Sequence, residues 1–308
     1  MKKDKKSVLL KINGALTTQV LYVGVKLGLF DCDEILQKAD ARLLRALSAL
    51  ELIAFQEGRW KVTEEGRFLS KEHPESMRDL ILYKAAPFNW AAYGKLAEAL
   101  QSGKNAFETA LGTPLFDYLQ DHPEEMALFQ NGMAYFERSG SKAVLDQIDL
   151  KGYASICDLG CGTGGFLKRL LEKWPHLKGL GVDLPSVVAL ADKSVPLEGL
   201  DFFETVPEGF DLYLLRNILH DWSDEACIAL LKKLPKGSHA LVFEALVPEN
   251  NETRLAAFSD LHLFATTSGG GERTLAQYRK IFESAGFTIE SVLNSSAAKS
   301  VIKIVNTI

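Results

Sequence analysis

Cysteine is scarce in this 308-residue chain, and the four present (Cys32, Cys157, Cys161 and Cys227) show no metal-binding spacing. Two of them lie in or beside a glycine-rich turn that a disulfide would distort, so all four read as reduced thiols. No stretch supplies the roughly 20 uninterrupted apolar residues that a membrane span needs. The basic start, Met1-Lys-Lys-Asp-Lys-Lys, leads into an apolar run that Lys11 and Asn13 interrupt, without a small-residue cleavage site. A cytoplasmic protein without a membrane partner is therefore expected. Excess basic charge is missing too. The net charge is -5, which disfavours nucleic acid as a partner. There is no internal repeat and no low-complexity tract. What remains is ordinary globular material, 47% hydrophobic and 24% charged, long enough for two domains with separate cores.

The most informative stretch runs from Ser155 to Pro185. A short apolar strand ends at Asp158, and glycines at 160, 162 and 164 or 165 let the backbone turn into a helix starting near Gly165. Amides at such a helix start favour an anionic group, and Asp183 near the end of the next strand can accept hydrogen bonds from ribose hydroxyls. The string Gly160-x-Gly162-x-x-Gly165 also satisfies the dinucleotide fingerprint. Asp158 discriminates between the two cofactors. A carboxylate there repels a pyrophosphate but suits the ammonium of S-adenosylmethionine, which carries no phosphate.

Residues 8 to 30 place apolar side chains at helical spacing on more than one side, with Gly14, Gly24 and Gly28 as close-packing points or breaks. Part of this segment is expected against a second subunit, in a homodimer. A helix over 42–50, a hairpin around Glu57-Gly58 and a short helix from Glu64 form a winged-helix pattern, but its mixed charges argue against a DNA-reading role. Residues 75 to 140 read as helical and aromatic-rich, with Arg138-Ser-Gly-Ser141 as the joint to a second domain. From Ala154, strands near 154–158, 179–183, 200–203, 211–215, 239–244, 287–293 and 300–306 alternate with helices up to the sixth. The alternation predicts a mostly parallel sheet whose ligands sit at the strands' carboxyl ends. The last two strands are joined too closely for a parallel crossover, so one must run antiparallel.

Chemistry is concentrated after the fourth of these strands, in Leu219-His-Asp-Trp-Ser-Asp-Glu225. His220 lies where an imidazole can take a proton from a bound substrate, although a hydrogen-bonded helix-start histidine is the plainer reading. Glu244, ending an apolar strand, and Glu272, in Gly269-Gly-Gly-Glu-Arg-Thr274, are acids able to orient that imidazole.

These motifs, with Asp158-Leu-Gly-Cys-Gly-Thr-Gly164, Val182-Asp-Leu-Pro185, Asp201-Phe-Phe-Glu-Thr-Val-Pro207 and Phe243-Glu-Ala-Leu-Val-Pro248, occur in one order. In that order the chain resembles the S-adenosylmethionine-dependent small-molecule O-methyltransferases of the caffeate and acetylserotonin type. The resemblance implies an α/β fold: a seven-stranded, mostly parallel, Rossmann-like sheet (residues 141–308) behind a mainly helical, winged-helix-like dimerisation and substrate-pocket domain (residues 1–140). It implies His220 as general base flanked by Glu244 and Glu272. It also implies contacts from Asp158, Gly160, Gly162, Asp183, Leu184, Asp201, Phe202 and Arg216 to S-adenosylmethionine, and a small hydroxylated molecule as methyl acceptor. Phe202 and Arg216 stand where the family often has Met and Lys. Only 11 residues separate Phe30 from Arg42, a shorter segment than the family usually has. Two other uses of the same residues are a different reaction on a polyketide-like substrate and a non-catalytic, ligand-sensing winged-helix protein.

Overall fold

The computed structural model describes residues 5–192, 194–247, 254–294 and 299–307. Met1–Asp4, Pro248 of the motif at Phe243, and residues 295–298 of the connection between the last two strands lie outside them. The chain divides into two compact units, one of residues 1–89 with 131–135 and the other of residues 90–130 with 136–308.

In the first unit, helices Lys5–Ile12 and Gly14–Lys26 fill the segment where a helix with breaks is expected, and Gly28 turns the chain with φ +69°. The helix Ala41–Ala49 starts at Asp40, whose side chain accepts a hydrogen bond from the Arg42 amide. Strands β1 (Ile53–Gln56) and β2 (Arg59–Val62) pair antiparallel around Glu57-Gly58, as the turn residues predict. Val25, Leu29, Phe30, Leu36, Leu44, Leu47 and Ile53 form the core, so the short segment before Arg42 still supplies a packed helix, Asp33–Gln37.

The second unit holds a seven-stranded sheet: β3 (Ser155–Leu159), β4 (Lys178–Asp183), β5 (Leu197–Gly199), β6 (Leu212–Arg216), β7 (His239–Glu244), β8 (Phe287–Asn294) and β9 (Ser300–Asn306). Their order is β5-β4-β3-β6-β7-β9-β8. The first five are parallel, and β9 runs antiparallel to both β7 and β8. Both faces are covered, because successive side chains point to opposite sides. Cys157, Leu159, Tyr213, Leu215, Ala240 and Val242 join one core; Ile156, Leu212, Leu214, Leu241 and Phe243 join the other.

Two elements depart from the sequence-based expectation. The strand placed at 200–203 lies at Leu197–Gly199 instead, and no helix follows it before β6. Residues 201–205 form a turn in which the Asp201 side chain accepts from the Phe203 amide at 2.7 Å, a local bond that competes with sheet pairing. The joint expected at Arg138–Ser141 lies inside one continuous helix, Pro123–Leu145. Gly140 weakens a helix by only about 1 kcal/mol, a cost that a helix of 23 residues tolerates.

Candidate active site

The cradle begins where β3 ends. Gly160, Gly162 and Gly164 take φ values of +73°, +59° and +83°, and the helix Gly165–Lys173 starts immediately after them. The Gly160 and Cys161 amides donate to the Val182 carbonyl at 2.8 and 3.1 Å, tying the turn to β4. Asp183 closes it, one carboxylate oxygen accepting from the Gly162 amide at 2.7 Å and the other from the Leu184 amide at 2.8 Å. A side chain at Gly160 would meet Ile218 Cδ1 at 2.1 Å, with the Phe202 ring at 3.6 Å. At Gly162 a Cβ would stand 3.3 Å from Gln130 Oε1. The structure thus brings Asp158, Gly160, Gly162, Asp183, Leu184 and Phe202 into one neighbourhood, with Asp201 in the adjoining turn.

Charge in the cradle is unbalanced toward the acidic side. Asp158 is 2% exposed, and burial pushes its carboxyl up to about 7; Arg216 opposes this and Asp183 adds to it. Burial also raises Asp183, to about 6, against the two amides that favour its ionised form. The Arg216 guanidinium lies 4.8 Å above the Phe166 ring and donates to the Glu137 carbonyl at 3.3 Å. Burial lowers Arg216 to about 10. A cationic ligand would relieve both carboxyls. The donor set therefore fits a nucleoside bearing an ammonium and a sulfonium, and does not suit a pyrophosphate.

A second cluster sits one turn of chain away. Residues Leu219–Asp221 form a 3₁₀ turn, and Glu244 Oε1 accepts from the amides of Ile218, Leu219 and His220 at 3.2, 2.9 and 3.3 Å. Fully buried, this carboxylate holds the turn in place at the end of β7. Its other oxygen, Oε2, lies 3.3 Å from His220 Nδ1, and Glu272 Oε2 lies 3.6 Å from the same nitrogen. His220 Nε2, on the ring's other side, is 3.7 Å from Asp221 Oδ1. Burial opposes the imidazolium, but Glu244, Asp221 and Glu272 outweigh it and hold His220 up to about 9. That is well above the ordinary histidine value near 6.5. Ile218 links the two clusters, its backbone bonded to Glu244 and its side chain packed at Gly160.

Sequence reasoning missed the residues that fix this arrangement. Arg273 donates to the Leu219 and Trp222 carbonyls at 2.8 and 2.6 Å and to Asp224 at 2.8 Å, clamping the His220 turn. The Ser259 hydroxyl donates to Glu272 Oε1 at 2.7 Å, and the Gly271 amide to the His220 carbonyl at 2.8 Å. Lys299 bonds the Asn217 side chain and stands close enough to Glu244, Glu272 and Asp221 to act on their ionisation. Of these, only Asp221 and Arg273 carried a signal, as motif neighbours of His220 and Glu272.

A parallel sheet in this strand order, with one antiparallel strand, β9, inserted between β7 and β8 and a glycine cradle beyond β3, defines the Rossmann-like methyltransferase class. Residues 93–288 match the O-methyltransferase domain model. The chain is 30% identical to the phenazine O-methyltransferase PhzM of Lysobacter antibioticus, the match covering 96% of this chain and 95% of that protein. It is 30% identical to the 3-amino-4-hydroxybenzoate 4-O-methyltransferase of Streptomyces cremeus, over 91% of this chain and 84% of that one. Among solved structures, human N-acetylserotonin methyltransferase in complex with S-adenosylmethionine superimposes with a TM-score of 0.88 at 26% identity, covering 100% of this chain and 99% of that one. The chain belongs to the O-methyltransferase domain family. Among the described residues, no helix is long and apolar enough to cross a membrane.

Proposed function

We propose that this protein transfers a methyl group from S-adenosylmethionine to a phenolic or enolic hydroxyl of a small aromatic or polyketide-like molecule, with His220 as general base. One observation carries the reading: the turn whose amides Glu244 holds presents His220 and, two residues earlier, packs Ile218 against the glycine cradle. Base and cofactor cradle therefore share a single rigid turn. Relatives that act on a phenazine and on an aminohydroxybenzoate support an aromatic acceptor.

In this reading Asp183 and Leu184 take the ribose, and the Gly160 and Gly162 segment lies along the nucleoside. Asp158 pairs with the ammonium and Arg216 with the carboxylate, while Phe202 and Asp201 border the base. When bound, the cofactor supplies a methyl group already activated by its sulfonium. The chain's own residues align the acceptor oxygen and take its proton, effects worth about 7–11 and 3–5 kcal/mol. Glu244 and Glu272 fix the Nδ1 side of the ring, which leaves Nε2 as the proton acceptor. With His220 held near 9, transfer from a phenol of pKa about 10 is uphill by only about one pKa unit, and the free imidazole that accepts the proton forms as pH rises toward 9, so turnover should rise over that range. Residues 8 to 30 serve a homodimer, and the four free cysteines suit a cytoplasmic protein.

Incubation with methyl-labelled S-adenosylmethionine and a panel of phenolic and enolic metabolites should yield a labelled methyl ether. If the cofactor binds but no hydroxylated acceptor in the panel or in a whole metabolite extract takes up label, the reading fails.

A further inference from the structure

The two acids that position His220 share a second feature. Each has one oxygen anchored and the other presented. Glu244 Oε1 is held by three backbone amides and Glu272 Oε1 by the Ser259 hydroxyl, while Glu244 Oε2 and Glu272 Oε2 are buried without a hydrogen-bond partner. His220 Nδ1 is buried and unpartnered in the same way, and it faces both oxygens at 3.3 and 3.6 Å. The three atoms all lie within 4.8 Å of one another. Glu244 is fully buried and the Glu272 side chain only 2% exposed, so two desolvated carboxylates face one nitrogen.

The geometry points to a divalent-cation site made of His220 Nδ1, Glu244 Oε2 and Glu272 Oε2, whose occupation by zinc or a similar transition ion shuts the enzyme off. Donor atoms about 2.1 Å from a tetrahedral ion stand about 3.4 Å apart, close to the two spacings from Nδ1, and the three donors, within 4.8 Å of one another, would draw together on a bound ion. One imidazole with two carboxylates suits zinc or cobalt, and their two negative charges neutralise a divalent ion. The outer contacts are also those of a metal site: Ser259 and the turn amides orient the carboxylates, and Asp221 lies on the Nε2 side of the ligating histidine. Three protein ligands leave a fourth position open for water.

Inhibition follows from the proton count. The metal takes the Nδ1 lone pair: an imidazolium releases its Nδ1 proton to solvent, a neutral ring shifts that proton to Nε2, and in either case one proton stays on Nε2. Nε2 then has no lone pair for the acceptor's proton. Binding itself does not depend on the base assignment under Proposed function, whereas the inhibition rests on it.

Cobalt(II) reads the two apart, because its visible absorption reports coordination without turnover. Full-length protein without cofactor should bind one equivalent of Co²⁺ with the intense absorption of a four- or five-coordinate ion, and Zn²⁺ should displace it. Zn²⁺ should abolish methyl transfer, and a chelator should restore it. Glu272→Gln and His220→Asn should each weaken Co²⁺ binding at least tenfold, and Ser259→Ala, which leaves all three ligands in place, should weaken it less. Melting curves establish that each variant is folded. Co²⁺ absorption unchanged in both ligand variants, or only the weak absorption of a hexaaqua-like ion, overturns the site. Saturating Zn²⁺ that leaves methyl transfer at its full rate overturns the inhibition.

Discussion

At the residue scale the proposed reaction turns on one imidazole and on which of its nitrogens is free. Both glutamates approach Nδ1, so Asn at position 220 keeps a polar side chain near them but removes the proton acceptor. His220→Asn should therefore retain S-adenosylmethionine affinity, because the cradle residues are untouched, while turnover falls about 10²–10⁴-fold. A more acidic phenol, already ionised at the assay pH, should recover part of the lost rate. Single-turnover rates across phenols of graded acidity check this, and a uniform loss across the series would reduce His220 to a structural role. The sequence made His220, Glu244 and Glu272 legible because their motifs recur in a fixed order. It could not show that Glu244 also satisfies three amides, nor that Arg273 clamps the turn through two carbonyls. Those bonds go to backbone, which has no signature of its own in the sequence.

At the element scale the glycine turn was the most legible feature, since positive φ at three alternate positions is a demand that only glycine meets cheaply. Gly160 has the strictest requirement. Gly160→Ala would put a methyl group 2.1 Å from Ile218 Cδ1 in a left-handed backbone, and moving Ile218 would disturb the turn that holds His220. A loss of about 2–4 kcal/mol in stability and a marked loss of cofactor affinity are expected. Gly94, ending the helix Pro87–Gly94 with open space around it, is the internal contrast: Gly94→Ala should be neutral or stabilise by up to about 1 kcal/mol. Thermal melts and calorimetric titration of the two variants separate the turn's requirement from glycine content as such. The elements that the sequence misplaced had conflicting local signals. Leu200-Asp-Phe-Phe203 has strand-like composition, yet Asp201 bonds its own neighbour's backbone and the pairing residues are Leu197–Gly199. Arg138–Ser141 reads as a joint by composition, but a 23-residue helix carries straight through it.

At the scale of the whole molecule, two buried carboxyls tie folding and cofactor binding to pH. Asp158, facing Arg216 and Asp183, sits near 7; Asp183, facing the Gly162 and Leu184 amides and the Cys161 thiol, sits near 6. Both lie above the ordinary 3.8, so between about pH 4 and 7 the folded chain holds protons that the unfolded chain has released. This contribution to stability is full below about pH 4 and is lost as pH rises to about 7. Cofactor affinity should run the other way, since in the proposed binding mode ionised Asp158 pairs with the ammonium and ionised Asp183 accepts from the ribose, and should fall about tenfold or more from pH 8 to pH 5.5. Calorimetry at the two pH values checks this, and Asp158→Asn should flatten the dependence. Assembly is the other property of the whole chain. Val8, Leu9, Leu10, Ile12 and Leu16 are 55–70% exposed in the first unit, an apolar run that a second copy would cover. The later part of the same segment is not available for this purpose, because Val25, Leu29 and Phe30 belong to the core. Removing residues 1–30 would therefore damage folding as well as assembly, and a loss of dimer would be uninformative. Charge at the exposed positions is the cleaner test: Leu10→Glu with Ile12→Glu and Leu16→Glu should convert a dimer to a monomer in sedimentation while changing the melting temperature little. A wild-type chain that sediments as a monomer at micromolar concentration, or a triple variant that stays dimeric, would remove residues 8–30 from the interface.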